Sequence, residues 1–233
     1  MIHLSSVMNG VQRSSKWLAS IVLLAIVGCG AEPPIERLIG ELQDEDVHVR
    51  RTAARSLGDM GIEAAPAVLA LSKAMEDEDR DVRRLALQAI SQVGPQSESY
   101  LPVLENSLED NDLSVRIAAA FAVNRIEPND VSHQRVLIDA MKLGEGGIIV
   151  RVGQLNSPGW AVPTLIDLLD DRRAGIRRIT ANALEQIGPA AVTAKPALER
   201  VATNDPDERA REAAQLALDR MNTSGSPDAA DST

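Results

Sequence analysis

An aspartate six residues ahead of an arginine recurs five times in this chain, as Asp44/Arg50, Asp77/Arg83, Asp110/Arg116, Asp171/Arg177 and Asp205/Arg211. An aliphatic residue precedes each arginine, and a leucine stands about twelve residues before it: Leu38, Leu71, Leu104, Leu165 and Leu198. From Arg50 to Leu71, Arg83 to Leu104 and Arg177 to Leu198 the step is 21 residues. A unit of about 33 residues cannot bury an apolar face alone, and stacking on copies of itself is the physical solution. The expected fold is all-α: a right-handed α-solenoid of about six two-helix repeats.

The clearest copy is Asp77 to Gly94, DEDRDVRRLALQAISQVG. Each unit reads as helix A, a tight turn, helix B and a loop. In unit two, Pro66 is expected at the first position of helix A, where its missing N–H is harmless. Val68, Leu71 and Met75 then form a helical apolar stripe. Helix B buries Val82, Ala86, Ala89, Ile90 and Val93, and Gly94 ends it. Unit one repeats this with Val49, Ala53, Ser56, Leu57, Met60 and Gly61, and unit five with Ile176, Thr180, Ala183, Leu184, Ile187 and Gly188. Only 2% of the residues are aromatic, which suits thin helical layers rather than one thick core.

The turn aspartate, at or near the start of helix B, can accept backbone N–H groups and suits the helix dipole. The arginine one turn in can reach the aspartate of its own or the adjacent unit. Two readings follow: an anion-binding row of Arg50, Arg83, Arg116, Arg177 and Arg211, or a structural Asp–Arg ladder. The ladder is preferred because both partners recur together at fixed spacing.

Units such as DVRRLALQAISQVGPQSESYLPVLENSLED resemble HEAT repeats, specifically the short bacterial type of the phycobilin lyases. The resemblance covers about residues 34–222 and rests on the core V-R-x-x-A-x-x-[AS]-[LIV]-x-x-[MVI]-G. It implies a protein-binding scaffold with an unspecified protein partner, monomeric and without a cofactor. The alternatives are a subunit resembling bilin lyases, or another HEAT-like lyase or chaperone, and a structural spacer.

Unit four breaks the pattern. Its helix A is expected at Val136 to Leu143, followed by the turn GEGGII, and Glu145 stands six before Arg151. Leu137 to Arg151 is 14 residues, two long, and Arg151 to Leu165 is 14, seven short. Seven residues are about two helical turns, so helix B is truncated and ends by Asn156-Ser157-Pro158-Gly159. A change of curvature or a notch is expected there. Beside it, Ile117, Phe121 and Val152 replace mostly polar residues on helix B, and Trp160 follows. They form either a partner-docking patch or a plug for the missing turns.

At the N-terminus, Arg13 and Lys16 precede the apolar run WLASIVLLAIVG, too short to span a bilayer. Ile26-Val27-Gly28-Cys29 resembles the lipobox of bacterial lipoproteins. That resemblance implies a signal peptide over 1–28, lipid on Cys29, a tether over 29–33 and a cell-envelope membrane location. Gly30 stands where an aspartate would resemble an inner-membrane retention signal, which favours the outer membrane. A HEAT-repeat domain over 34–222 and a disordered polar tail over 223–233 complete the expected organisation.

Other functions find little support. The formal charge of −10 disfavours general nucleic-acid binding. Cys29 is the sole cysteine, so there is no disulfide framework. His48 and His133 have no partner at zinc spacing and are expected to be solvated. The iron-binding His-Glu pairs of the HEAT-repeat enzyme deoxyhypusine hydroxylase have no counterpart, since His48 precedes Val49 and His133 precedes Gln134. No nucleophile elbow or P-loop is present, and no catalytic or metal residue is assigned.

Overall fold

The computed structural model describes residues 35–128, 131–156 and 158–223. The expected signal peptide, Cys29, the tether and the tail beyond Thr223 lie outside them. Among the described residues there is no β-strand. The described residues hold twelve α-helices in six hairpins: α1 (Ile35–Glu41) with α2 (Val47–Asp59), α3 (Val68–Ala74) with α4 (Arg80–Val93), and α5 (Leu101–Asn106) with α6 (Leu113–Ile126). The remaining three are α7 (Ser132–Lys142) with α8 (Gly146–Gly153), α9 (Val162–Leu168) with α10 (Ala174–Ile187), and α11 (Lys195–Asn204) with α12 (Glu208–Thr223).

In every hairpin but the fourth the second helix is the longer and carries the stacking. α4 lies between α2 and α6, and α10 between α8 and α12, while the first helices α1, α3, α5, α9 and α11 pack mainly on their own partners and α7 packs mainly on α6 of the preceding unit. Unit two shows why these residues make these elements. Asp79, in extended conformation, caps α4 by accepting from the N–H groups of Asp81 and Val82. Val82, Ala86, Ala89, Ile90 and Val93 are buried on one stripe. Gly94 then turns the chain out at φ 75°, a backbone setting that a side chain resists. Fully burying aliphatic side chains of this kind is worth about 1.5–3 kcal/mol each. The stripe is therefore the main source of stability, and capping, at about 1 kcal/mol, sets its start.

Two local expectations are corrected. Pro66 does not open α3; it lies inside a 3₁₀ segment, Gly61–Ala67, that leads into the helix. Matching 3₁₀ segments, Gly94–Tyr100 and Gly188–Ala194, precede α5 and α11. Proline suits these tighter turns because its absent N–H goes unmissed near a helix start. In unit four, helix A starts at Ser132, earlier than Val136, and therefore includes His133.

α8 is eight residues long, whereas α4, α6 and α10 have fourteen each. It begins at Gly146, so two of the glycines expected in the turn belong to the helix. The remaining one, Gly144, has φ 77°, and a Cβ there would run into the guanidinium of Arg173. α8 also lies against α10 at a distance only glycine allows: a Cβ on Gly153 would sit 2.9 Å from Ala183 Cα. Between α6 and α8, by contrast, the stack of second helices opens, and these two helices barely approach each other.

Candidate functional site

The repeated arginines and aspartates meet across layers. Arg50 presents Nε and Nη2 to the two carboxylate oxygens of Asp77, in the next unit, at 2.7 and 3.0 Å. Its Nη1 donates to the carbonyl of Asp44, in its own turn, at 2.9 Å. Arg83 repeats this on Asp110 at 2.8 and 3.1 Å, and Arg177 on Asp205 at 2.6 and 2.7 Å. Each acceptor also takes the N–H two residues on, as Asp77 does from Asp79. The capping position itself belongs to the second acid of the turn, Asp46, Asp79 or Asp112. Asp79 and Asp112 also take cross-layer bonds from Arg51 and Arg80.

These contacts show in the acidities. The Arg177 fork holds the Asp205 carboxyl below its ordinary range, and burial opposes that only in part. At Asp110 burial is the largest influence and raises the pKa, yet the bonds from Arg83 and the Asp112 N–H prevail and lower it. Asp112 is held at about 2, first by its bond from Ser114. Asp171 is also held at about 2, by Arg173 in its own turn. The forks of Arg50, Arg83 and Arg177 are thus filled by aspartates and offer little edge to a ligand.

The row is interrupted at unit four. Arg116 reaches the carbonyl of Asp110 at 2.6 Å but, among the described residues, no carboxylate across the gap. Glu145 stands at the capping position of α8, so Ile149, not Arg151, occupies the place of the repeated arginine. Arg151 is two residues deeper, and no bond joins it to Glu145 among the described residues. Its guanidinium instead lies over the ring of Phe121, 3.5 Å from carbon to centroid. Arg211, in the last layer, bonds the carbonyl of Asp205 at 2.7 Å, and Asp44, in the first, accepts from the Asp46 N–H.

The four-residue docking patch does not exist as an exposed surface. Val152 is fully buried and Phe121 is 7% exposed, while Ile117 and Trp160 are half-buried against the core. The cause is the two-residue register shift in α8, which turns Val152 inward. His133, expected in solvent, is buried too. Asn124 Nδ2 lies 3.1 Å from His133 Nε2, and Trp160 meets the imidazole edge-to-face at 5.9 Å. His133, Asn124 and Trp160 fill space left by the clipped helix. His48 is exposed in the first turn of α2. A signal for Asn124 was present: it stands where α2 and α4 carry the small Gly58 and Ser91, each twelve residues after its cap.

What remains open to solvent on this face is a groove across α2, α4, α6 and α8. One lobe, about 440 Å³, is lined by Arg55, Asp59, Gln88, Ser91, Gln92, Phe121 and Arg151 among others. A second, about 320 Å³, shares Ser91, Gln92, Phe121 and Arg151 and adds Arg125, Gln154 and Asn156. Arg151 forms the ridge between them. Burial lowers its pKa from the usual arginine value, since protein surrounds the guanidinium even though the side chain reaches solvent. Among the described residues no cluster of three or more His, Cys, Asp or Glu is placed to hold a metal ion.

Stacked helical hairpins of this kind define a solenoid repeat protein. The HEAT-repeat family model matches residues 35–124, 68–151 and 147–219, and the chain belongs to that family. No curated protein matches the sequence. The complex of CpcE and CpcF of phycocyanin lyase from Nostoc sp. PCC7120 is similar in structure, with a TM-score of 0.54 and 24% identity over 82% of this chain and 78% of that one. A designed armadillo repeat protein is similar at TM-score 0.51 and 20% identity, over 81% of this chain and all of the other. These likenesses speak to the fold.

Proposed function

We propose that this protein is a lipid-anchored, non-catalytic interaction scaffold at the bacterial cell envelope, whose groove of second helices receives a protein partner. The observation that carries the reading is the open polar groove across α2, α4, α6 and α8, on a frame locked layer to layer by buried arginine–aspartate forks. Cys29 carries the lipid after residues 1–28 are removed. The lipobox-like Ile26-Val27-Gly28-Cys29 supports that step. Among the described residues no helix is long and apolar enough to cross a membrane. Stable attachment takes two or more acyl chains, and a bacterial lipoprotein anchor usually has three. The short tether holds the solenoid close to the bilayer surface, and Gly30 favours the outer membrane.

Two experiments test the reading. Cys29→Ala is expected to move the protein from the membrane to the soluble fraction, and unchanged membrane retention rules out the anchor. A photo-crosslinker at Gln88, in the groove, is expected to trap one protein in living cells, while one at the exposed Leu69 on α3 traps none. Equal yields at both positions, or none at Gln88, remove the scaffold reading. The likeness to the CpcE and CpcF complex favours a second reading, a subunit resembling bilin lyases. A coloured covalent adduct formed on a target protein from free bilin would establish it instead.

A further inference from the structure

The groove has a chemical character that runs against the rest of the molecule. The chain as a whole is acidic, with a formal charge of −10. The groove lining instead holds Arg55, Arg125 and Arg151 against one carboxylate, Asp59. The repeated arginines Arg50, Arg83 and Arg177, by contrast, have their forks filled by aspartates of the next layer. Among the described residues none of the three groove arginines bonds a carboxylate, and all three are exposed.

Arg151 is also held for use. Its guanidinium carbon lies over the Phe121 ring, 3.5 Å from the centroid, and among the described residues no carboxylate bonds its N–H groups. A planar fork with a free edge matches a carboxylate, which it can grip through two parallel hydrogen bonds. Fixing the side chain beforehand lowers the entropy lost when that grip forms. The amides of Gln88, Gln92 and Gln154 line the same groove on either side of this ridge. Amide side chains both donate and accept, which suits the backbone of an extended peptide.

We infer that the groove binds an extended acidic peptide segment of a partner protein, with a glutamate or aspartate seated on the Arg151–Phe121 stack and Arg55 and Arg125 receiving flanking carboxylates. This inference rests on the scaffold reading and names its partner chemistry. Charge complementarity steers such a partner to the groove and away from the acidic remainder of the surface.

The test is a fluorescence-anisotropy titration of the full chain in detergent micelles. The probe is a fluorescein-labelled peptide of alternating glutamate and serine, roughly ten residues long, enough to cross the groove at about 3.3 Å per residue. It is expected to bind, weakening as salt rises, while the glutamine–serine and lysine–serine counterparts do not. Arg151→Gln is expected to weaken binding about tenfold and Arg151→Lys to restore part of the loss. Arg55→Gln with Arg125→Gln, two exposed changes that leave the core intact, is expected to weaken it as well. Equal binding of the glutamine peptide, no effect of either set of changes, or tighter binding of a single-stranded oligonucleotide overturns the inference. A groove crosslink in cells without binding of the acidic peptide sinks this inference and leaves the scaffold standing. Peptide binding without a groove crosslink does the reverse.

Discussion

In units one to three every layer is closed onto the next. Arg50 grips Asp77, Arg83 grips Asp110, and a parallel row runs from Arg51 to Asp79 and Arg80 to Asp112. Around unit four the same repeat is open. Arg116 finds only a carbonyl, Arg151 lies on Phe121, and α6 and α8 draw apart. The difference comes from two inserted residues before Arg151 and seven missing after it. Where the period holds, the repeated arginines Arg50, Arg83 and Arg177 are spent on structure. Where it slips, Arg151 is left at the groove that lies beside the slip.

Acid is expected to act most strongly on this contrast. The carboxyls of Asp79, Asp110, Asp112, Asp171 and Asp205 are held below their unfolded values, two of them at about 2. A depressed carboxyl contributes stability that is present above its unfolded pKa and is lost as pH falls through the folded one. The melting temperature should therefore be flat above about pH 5 and fall between about pH 4 and pH 2. Hydrogen exchange should loosen the turns of units two, three, five and six first. A midpoint unchanged down to pH 2 breaks the assignment of these layers to ion pairs.

Next in size is Asp205→Ala. Its carboxylate side chain is only 4% exposed and faces Arg177 at 10%. Removing it strands a buried guanidinium and frees the turn N–H of Asp207, for a loss of about 3 kcal/mol in denaturant unfolding. A loss below about 1 kcal/mol would show that water replaces the fork.

Gly153→Ala should cost about 2 kcal/mol, since its Cβ would press within 2.9 Å of the Ala183 backbone. Gly58→Ala is the control in the regular region. There the nearest atom, Ala89 Cα, is 3.5 Å away, and a helix gains up to about 1 kcal/mol from alanine. The same sign for both changes would erase the distinction between the two junctions.

The smallest effect separates two arginines of the row. Arg83→Gln should lose about 1.5–3 kcal/mol with its charged fork, whereas Arg116→Gln should lose about 1 kcal/mol with one carbonyl bond. Thermal melts of both variants check this, and equal losses would mean that the unit-four gap does not open the ladder.

Much of the fold was legible because it is local. The aspartate turns, the stripe of Val82, Ala86 and Ile90, and the glycine stops at Gly94 and Gly188 are each set within a few residues. The truncation of unit four was readable from spacing alone. The candidate site was not. Counting six from Glu145 suggested an acid–arginine pair at Arg151, but the capping position counts four to the repeated arginine and gives that place to Ile149.

The sequence by itself determined the period, the all-helical hairpins and the place where they falter, because propensity, capping and apolar spacing act along the chain. Only the tertiary structure decided that Asp77, Asp110 and Asp205 serve the arginine of the layer before them. It also decided that His133 and Val152 go inside, and that Arg151 lies on Phe121, thirty residues away. Those outcomes depend on how one layer sits on the next, and a shift of two residues in a helix turns a side chain from one neighbour to another.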